Sequence, residues 1–146
     1  MFGEAEPKIE KLSLVRKLIP LVGIMATLVY ASSLARVKPA APELFQFDKI
    51  AHFFVFGLMG TLWFRVLRIP FPDTKRWIVA FLLVIAFGVL DEILQYFNPN
   101  RSFDPYDWIA DASGAFVGIF VYRGWALYRR ILETPVVLLI RFKIVA

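Results

Sequence analysis

Four long apolar blocks, nearly free of charge, are the feature that most limits what this chain folds into. They cover about residues 18–34, 50–67, 77–97 and 107–128. Each is about 17–22 residues long, the length at which a helix rising ~1.5 Å per residue crosses ~30 Å of hydrocarbon. In a bilayer only helices and closed barrels satisfy their backbone hydrogen bonds, and these blocks lack the alternation of barrel strands. The sequence therefore predicts an all-α integral membrane four-helix bundle, formed as a single domain over 1–146.

Proline-containing linkers separate the blocks and mark the predicted helix ends. They are Lys38–Pro42, Ile69–Asp73 and Asn98–Arg101. After the fourth block, Glu133-Thr134-Pro135 ends the helix, and the apolar stretch 136–140 is too short to span. We expect this short C-terminal segment to lie at the membrane interface.

Lysine and arginine are distributed unequally between the two predicted sides of the membrane. Of the 17 such residues, 13 fall in the N-terminal segment, the second linker and the C-terminal segment, and four fall in or beside the other two linkers. Cytoplasmic loops carry the excess of positive charge in membrane proteins. Both termini are therefore predicted to be cytoplasmic, and the first and third linkers to face outward.

The composition excludes several kinds of site and partner. The chain has no cysteine, so it forms no disulfide, thiol nucleophile or cysteine-based zinc site. Its net charge of +5 belongs to residues beside apolar segments, where a bilayer explains them better than a nucleic-acid backbone does. We expect the lipid bilayer as a partner and no nucleic acid.

Acidic residues concentrate at the predicted outer end of the bundle. Seven of the 12 lie there, together with Lys49, Arg101 and the single histidine, His52. A charge one or two turns below the membrane surface costs up to a few kcal/mol and usually faces the bundle interior with a partner. The seven acidic residues are Glu43, Asp48, Asp91, Glu92, Asp104, Asp107 and Asp111.

The spacing of these polar residues places them on common helix faces. Residues four apart share a face, and three polar pairs have this spacing. The pairs are Asp48 and His52, Asp91 and Gln95, and Asp107 and Asp111. Gly114 and Gly118 continue the stripe of the last pair, and small residues at this interval let another helix approach closely. Three helix ends are therefore predicted to converge on a polar pocket, with Gly114 and Gly118 as helix-packing residues.

The same residues, in the same order, resemble the VanZ-like family. The resemblance rests on Asp48-Lys49-x2-His52-Phe53, Asp91-Glu92-x2-Gln95, Arg101, Asp107-x3-Asp111 and Gly114-x3-Gly118, within about residues 48–118. Two positions depart from the family pattern. Phe56 stands where many members have tyrosine, and Asp111 stands where many have asparagine, which adds a titratable group.

The resemblance implies a small bacterial protein of the cell envelope. The family's namesake is associated with low-level resistance to the glycopeptide teicoplanin. Together with the predicted topology, this indicates a multi-pass protein of the bacterial inner membrane with its charged cluster on the outer side. The expected ligands are a lipid-linked cell-wall precursor, an anionic lipid head group or a glycopeptide.

An enzyme acting on such a group at the outer leaflet is one interpretation of the cluster. His52 is then a general acid or base oriented by Asp48 or Asp91, and Lys49 and Arg101 hold an anionic phosphate or carboxylate. The predicted catalytic residues are His52, Asp91, Asp107 and Asp111. The predicted substrate-binding residues are Asp48, Lys49, Glu92, Gln95 and Arg101.

Other interpretations use the same residues differently. A binding module needs the pocket but no acid–base pair. A divalent metal on His52 with nearby carboxylates is an alternative without diagnostic spacing. A transporter is disfavoured because residues 53–64 and 77–90 contain nothing ionisable. An ion-pair network that merely pins the helix ends needs two or three polar residues, and this end has about ten. Enzyme and binding module both stay open.

Overall fold

Helices make up the part of the chain that the computed structural model describes, which is residues 5–34, 42–68, 71–97 and 105–133. The four long helices are α1 (Ala5–Ser33), α2 (Pro42–Val66), α3 (Asp73–Tyr96) and α4 (Pro105–Gly124). A short helix, α5, covers residues 126–133. No strand occurs in these ranges, so the predicted all-α class is confirmed for them. Arg101 and the segment 136–140 lie outside the described residues.

The helices begin before the apolar blocks from which they were predicted, and α4 ends at Gly124, before the predicted end near 128. α1 begins at Ala5 and α2 at Pro42, about 13 and eight residues before the blocks at 18 and 50. An apolar block marks only the part of a helix suited to hydrocarbon, whereas the helix itself continues through polar residues. The helix was predicted to end at residues 133–135, but it is already interrupted at Trp125, after α4. The Trp125 N–H still donates to the Val121 carbonyl at 2.8 Å, so α5 nearly continues α4.

α2 and α4 run in the same direction. His52 lies opposite Asp111, and twelve residues further along α2 the Phe64 ring contacts the Tyr122 ring edge-on at 6.1 Å. The residue numbers rise together on both helices, which is the pattern of a parallel pair. This direction brings the acidic start of α4 beside the histidine-bearing part of α2.

α1 and α3 run opposite to α2 and α4. The Trp77 ring contacts Phe120, whereas Phe81, one turn later on α3, contacts Phe116, one turn earlier on α4. The Ser32 hydroxyl at the end of α1 bonds Asp91 near the end of α3. The helices therefore alternate in direction. We call the end that holds His52 the His52 end, and the opposite end, which holds Arg65, the Arg65 end.

Small residues allow α2 and α4 to approach to backbone contact. A Cβ added to Gly114 would overlap the carbonyl oxygen of Phe53, and one added to Gly118 would overlap that of Gly57. The Thr61 hydroxyl lies 3.0 Å from the Gly118 carbonyl oxygen and donates across the same contact. This seam sets the rotation and axial register of the two helices that carry His52 and the two aspartates of α4.

Apolar side chains face outward along the helices. Ile19 is 65% exposed, Phe54 68%, Leu82 58% and Ile109 53%. Two of the described helical stretches, Leu14–Ser33 and Asp73–Tyr96, are long and apolar enough to cross a membrane. Extended apolar surface of this kind is covered by lipid in membrane proteins and is rare on soluble monomers. These features indicate a membrane protein.

Candidate functional site

Polar side chains from all four long helices meet at the His52 end. The members on α3 and α4 are buried, each at most 7% exposed. α1 contributes Ser32; α2 contributes Asp48, Lys49 and His52; α3 contributes Asp91, Glu92 and Gln95; and α4 contributes Asp107 and Asp111. The structure thus brings together every predicted site residue whose side chain it describes. Arg101 lies outside the described residues, as does Asp104, and the Glu43 side chain is not described.

His52 is oriented by Asp111 of α4. Nδ1 of His52 lies 2.9 Å from Oδ1 of Asp111, and the two side chains are 12% and 3% exposed. Since an ionised carboxylate only accepts, Nδ1 donates and Nε2 stays available as an acceptor or ligand. The imidazole also stacks on the Phe56 ring at 5.8 Å. The expected partners of His52, Asp48 and Asp91, do not fill this role, because the register of α2 against α4 selects Asp111.

Gly88 makes room for the Asp111 carboxylate. A Cβ at Gly88 would lie 3.2 Å from Oδ2 of Asp111 and 3.4 Å from the Phe56 ring. A side chain on α3 at this position would therefore crowd the carboxylate that orients His52. Sequence reasoning missed Gly88, although its position one turn before Asp91 on the same helix is a usable signal.

Lys49 pairs with Asp107. Its Nζ lies 2.7 Å from Oδ1 of Asp107 and 5.7 Å from the centre of the Tyr106 ring. Asp107 occupies the first turn of α4, where the helix dipole also favours a negative charge. The predicted anion-binding role of Lys49 therefore competes with an ion pair inside the protein.

Both carboxylate oxygens of Asp91 accept hydrogen bonds. The Ser32 hydroxyl donates to Oδ1, and Nε2 of Gln95 donates to Oδ2 at 2.7 Å. Sequence reasoning missed Ser32, which is 3% exposed and lies in the last turn of α1. Asp91 is thus satisfied by its own neighbours and links α1 to α3.

Glu92 differs from its neighbour in having an unsatisfied oxygen. The residue is 5% exposed, and Oε2 has no hydrogen-bond partner among the described residues. Among the described residues, the charges that act on it most strongly belong to Asp107, Asp91, His52 and Asp111. A buried polar atom without a partner is costly, so such an atom in a native fold points to a group that completes it.

The Arg65 end carries a second ionic cluster. Nε of Arg65 and the Tyr122 hydroxyl each donate to Oε1 of Glu133 at 2.8 Å. Burial raises the pKa of Glu133, but the hydrogen bonds from Arg65 and Tyr122 outweigh it and hold that pKa below the ordinary value of 4.5. Sequence reasoning used Arg65 only for orientation and Glu133 only as a helix end. Their pairing depends on α5, which was not predicted.

Comparison with known proteins gives a match to a protein family. The model of the VanZ/LLP1 family matches residues 4–129, which include all four long helices and the whole cluster at the His52 end. No curated protein and no solved structure matches the chain.

Proposed function

Because the chain belongs to the VanZ/LLP1 family, we propose that it is a four-span protein of the bacterial inner membrane that binds the polar head group of an envelope lipid or lipid-linked precursor. In this proposal the termini are cytoplasmic and the His52 end faces outward. The family's association with glycopeptide resistance directs attention to the same class of ligand. The helix directions and the excess of Lys and Arg on one side support this topology.

α2 and α4 span the bilayer in this proposal although they are less apolar than α1 and α3. They carry the polar residues of the site and the glycines of the seam, and both kinds of residue lower hydropathy. Both helices pack into the same bundle as the two stretches that are apolar enough to span. Polar residues facing a bundle interior are compatible with a membrane span.

The buried Oε2 of Glu92, which has no hydrogen-bond partner among the described residues, is the observation that carries the ligand-binding proposal. A network that only pinned the helices would satisfy its acids, as Asp91 is satisfied by Ser32 and Gln95. Among the described side chains at this end, carboxylates outnumber cationic or imidazole groups by five to two. The site is therefore suited to a ligand that donates hydrogen bonds through ammonium or hydroxyl groups.

Lipid binding by the purified full-length protein tests this function. Native mass spectrometry in detergent, with a chelator present, compares phosphatidylethanolamine, phosphatidylglycerol and a polyprenyl-diphosphate-linked muropeptide with phosphatidic acid. Phosphatidic acid has the phosphate but no ammonium group and no alcohol hydroxyl attached to it. We expect at least one donor-bearing ligand to bind more tightly, and Glu92→Gln to reduce that preference about tenfold, the loss of one charge-assisted hydrogen bond.

Glu133→Gln is the matched control, because it removes a half-buried carboxylate at the Arg65 end. It should leave the preference unchanged. Equal binding of all four lipids, or a preference that Glu92→Gln does not alter, would contradict the proposal.

Acid–base chemistry on the bound group is a second candidate, favoured by the His52–Asp111 pair. A carboxylate at Nδ1 fixes the imidazole tautomer and leaves Nε2 to take or give a proton. Release of a head-group fragment, followed by mass spectrometry, would show turnover. We then expect His52→Gln to lower kcat by about 10²–10⁴ with little change in KM. Turnover that persists without both His52 and Asp111 would reject this pair as the acid–base catalyst.

A further inference from the structure

Three ligand atoms of the kind that hold divalent metals lie together at the His52 end. One side-chain ligand atom from each of Asp48, His52 and Asp107 lies within 4.8 Å of the other two. A metal about 2.1 Å from each of its ligands holds those ligands about 3–4.2 Å apart. Small side-chain rotations are enough to bring the three ligand atoms from this spacing to the separation that a bound metal requires.

Glu92 supplies a second and independent indication of a cation. Its side chain is buried, and Oε2 has no hydrogen-bond partner among the described residues. Among the described residues, three of the charges that act on it most strongly are carboxylates, those of Asp107, Asp91 and Asp111. Buried carboxylates that repel one another are stabilised when a positive charge enters between them.

We propose that Asp48, His52 and Asp107 bind a divalent first-row metal ion and that Glu92 supplies a further oxygen ligand. Asp111 binds Nδ1 of His52 and so leaves Nε2 as the nitrogen available to the metal, as in the carboxylate–histidine–metal arrangement that fixes ring orientation at many metal sites. Carboxylate oxygens with one imidazole suit Mn²⁺ or Zn²⁺. This metal site lies within the proposed head-group site but does not depend on a head group being bound.

Lys49 opposes the metal. Its ammonium lies 2.7 Å from Oδ1 of Asp107 and so competes for that carboxylate. Lys49→Met removes the competing charge and retains the apolar part of the side chain. We expect this variant to bind the metal about tenfold more tightly, since an opposing unit charge near a bound cation weakens it by about this much.

Electron paramagnetic resonance of Mn²⁺ with the purified full-length protein in detergent tests the site. We expect one Mn²⁺ per chain, Zn²⁺ competition for it, and a ¹⁴N coupling that disappears in His52→Ala. Asp48→Asn and Asp107→Asn should weaken binding at least tenfold, and Asp111→Asn about tenfold through the orientation of His52. Asp73→Asn is the control, since Asp73 is an exposed carboxylate at the Arg65 end.

Two results would overturn the metal site. One is the absence of stoichiometric Mn²⁺ or Zn²⁺ binding by the wild-type protein at about 1 mM metal, the weak limit for specific cation sites. The other is binding that Asp48→Asn and Asp107→Asn leave unchanged in variants whose circular dichroism and gel-filtration profiles match the wild type. Lipid binding measured in chelator separates the two proposals. If it persists without any metal site, only the metal proposal fails; if the metal binds but no lipid does, only the head-group proposal fails.

Discussion

The carboxylates at the two ends of the bundle differ in their exposure to solvent and in their hydrogen-bond partners. At the Arg65 end each acid whose side chain is described has two partners: Glu133 accepts from Arg65 and Tyr122, and Asp73 pairs with Arg76 and Arg123. These acids are 40% and 49% exposed, so water also solvates them. At the His52 end the carboxylates of α3 and α4 are nearly fully buried.

The His52 end also leaves one of its buried carboxylates incomplete. Asp91 is satisfied on both oxygens, whereas Oε2 of its neighbour Glu92 has no partner among the described residues. Charged groups that only hold helix ends together are expected to be paired and hydrated. Charged groups that bind a ligand are expected to be buried and to have hydrogen-bonding positions that the protein does not fill. The contrast separates a structural cluster from a candidate site within one small bundle.

The largest effect is expected where both ends depend on the same contact, the α2–α4 seam. Gly114→Ala places a methyl group on the Phe53 carbonyl oxygen, so α2 and α4 must move apart. The side chains that these two helices contribute to both ends of the bundle then shift as well. We expect a loss of about 3 kcal/mol in unfolding free energy, the upper end of the usual range for overpacked cores. Thermal unfolding in detergent, followed by tryptophan fluorescence, measures it.

Gly23→Ala is the matched control for that change. Nothing lies within 4 Å of a Cβ at Gly23, which sits on α1. Alanine there should leave stability unchanged or raise it by up to about 1 kcal/mol. Equal losses in both variants would mean that the seam does not set the register of the site.

The next largest effect on stability is expected to distinguish two neighbouring acids at the His52 end. Asp91→Ala leaves Ser32 and Gln95 without their acceptor and should cost about 1–3 kcal/mol. Glu92→Gln removes an incomplete buried carboxylate and should leave stability unchanged or raised. Both are measured by thermal unfolding in chelator and without added lipid. A loss in Glu92→Gln as large as that in Asp91→Ala would remove the distinction between structural and ligand-serving acids.

A smaller effect, with a pH signature, is expected at the Arg65 end. Glu133→Gln weakens the bonds to Arg65 and Tyr122, and should cost about 1 kcal/mol after discounting for a side chain that is 40% exposed. Because the folded-state pKa of Glu133 is lowered, its stabilisation is fully present above the ordinary value of 4.5 and is lost as pH falls through the folded-state value.

Wild type and Glu133→Gln should therefore differ in melting temperature at pH 7 and converge in acid. A difference between them that persists unchanged to the lowest pH at which the protein stays folded would show that Glu133 contributes through packing and not through its charge.

The smallest effect on stability is expected for Gly88→Ala. The added methyl group lies 3.2 Å from Oδ2 of Asp111, so the carboxylate shifts by a few tenths of an ångström. Stability should change by less than about 1 kcal/mol, while lipid binding weakens because His52 loses its orientation. An unchanged lipid affinity in a folded Gly88→Ala variant would separate His52 orientation from ligand binding.

Periodicity was sufficient to predict which residues of one helix share a face. The pairs at Asp91 and Gln95 and at Asp107 and Asp111 depend only on the 3.6-residue repeat, and so does the stripe through Gly114 and Gly118. Which partner each residue meets on another helix was not predictable in this way. His52 was expected to be oriented by Asp48 or Asp91, and its Nδ1 instead lies 2.9 Å from Oδ1 of Asp111.

The sequence by itself determined the all-helical class, the family and the concentration of acids at one end. These depend on composition, local spacing and order, which folding does not alter. Tertiary structure alone decided that Asp91 accepts from Ser32, that Oε2 of Glu92 has no partner among the described residues, and that Glu133 accepts from Arg65. The physical reason is that a helix repeat gives directions around one axis only. The rotation and register between helices come from close packing, here the contact of Gly114 and Gly118 with the backbone of α2.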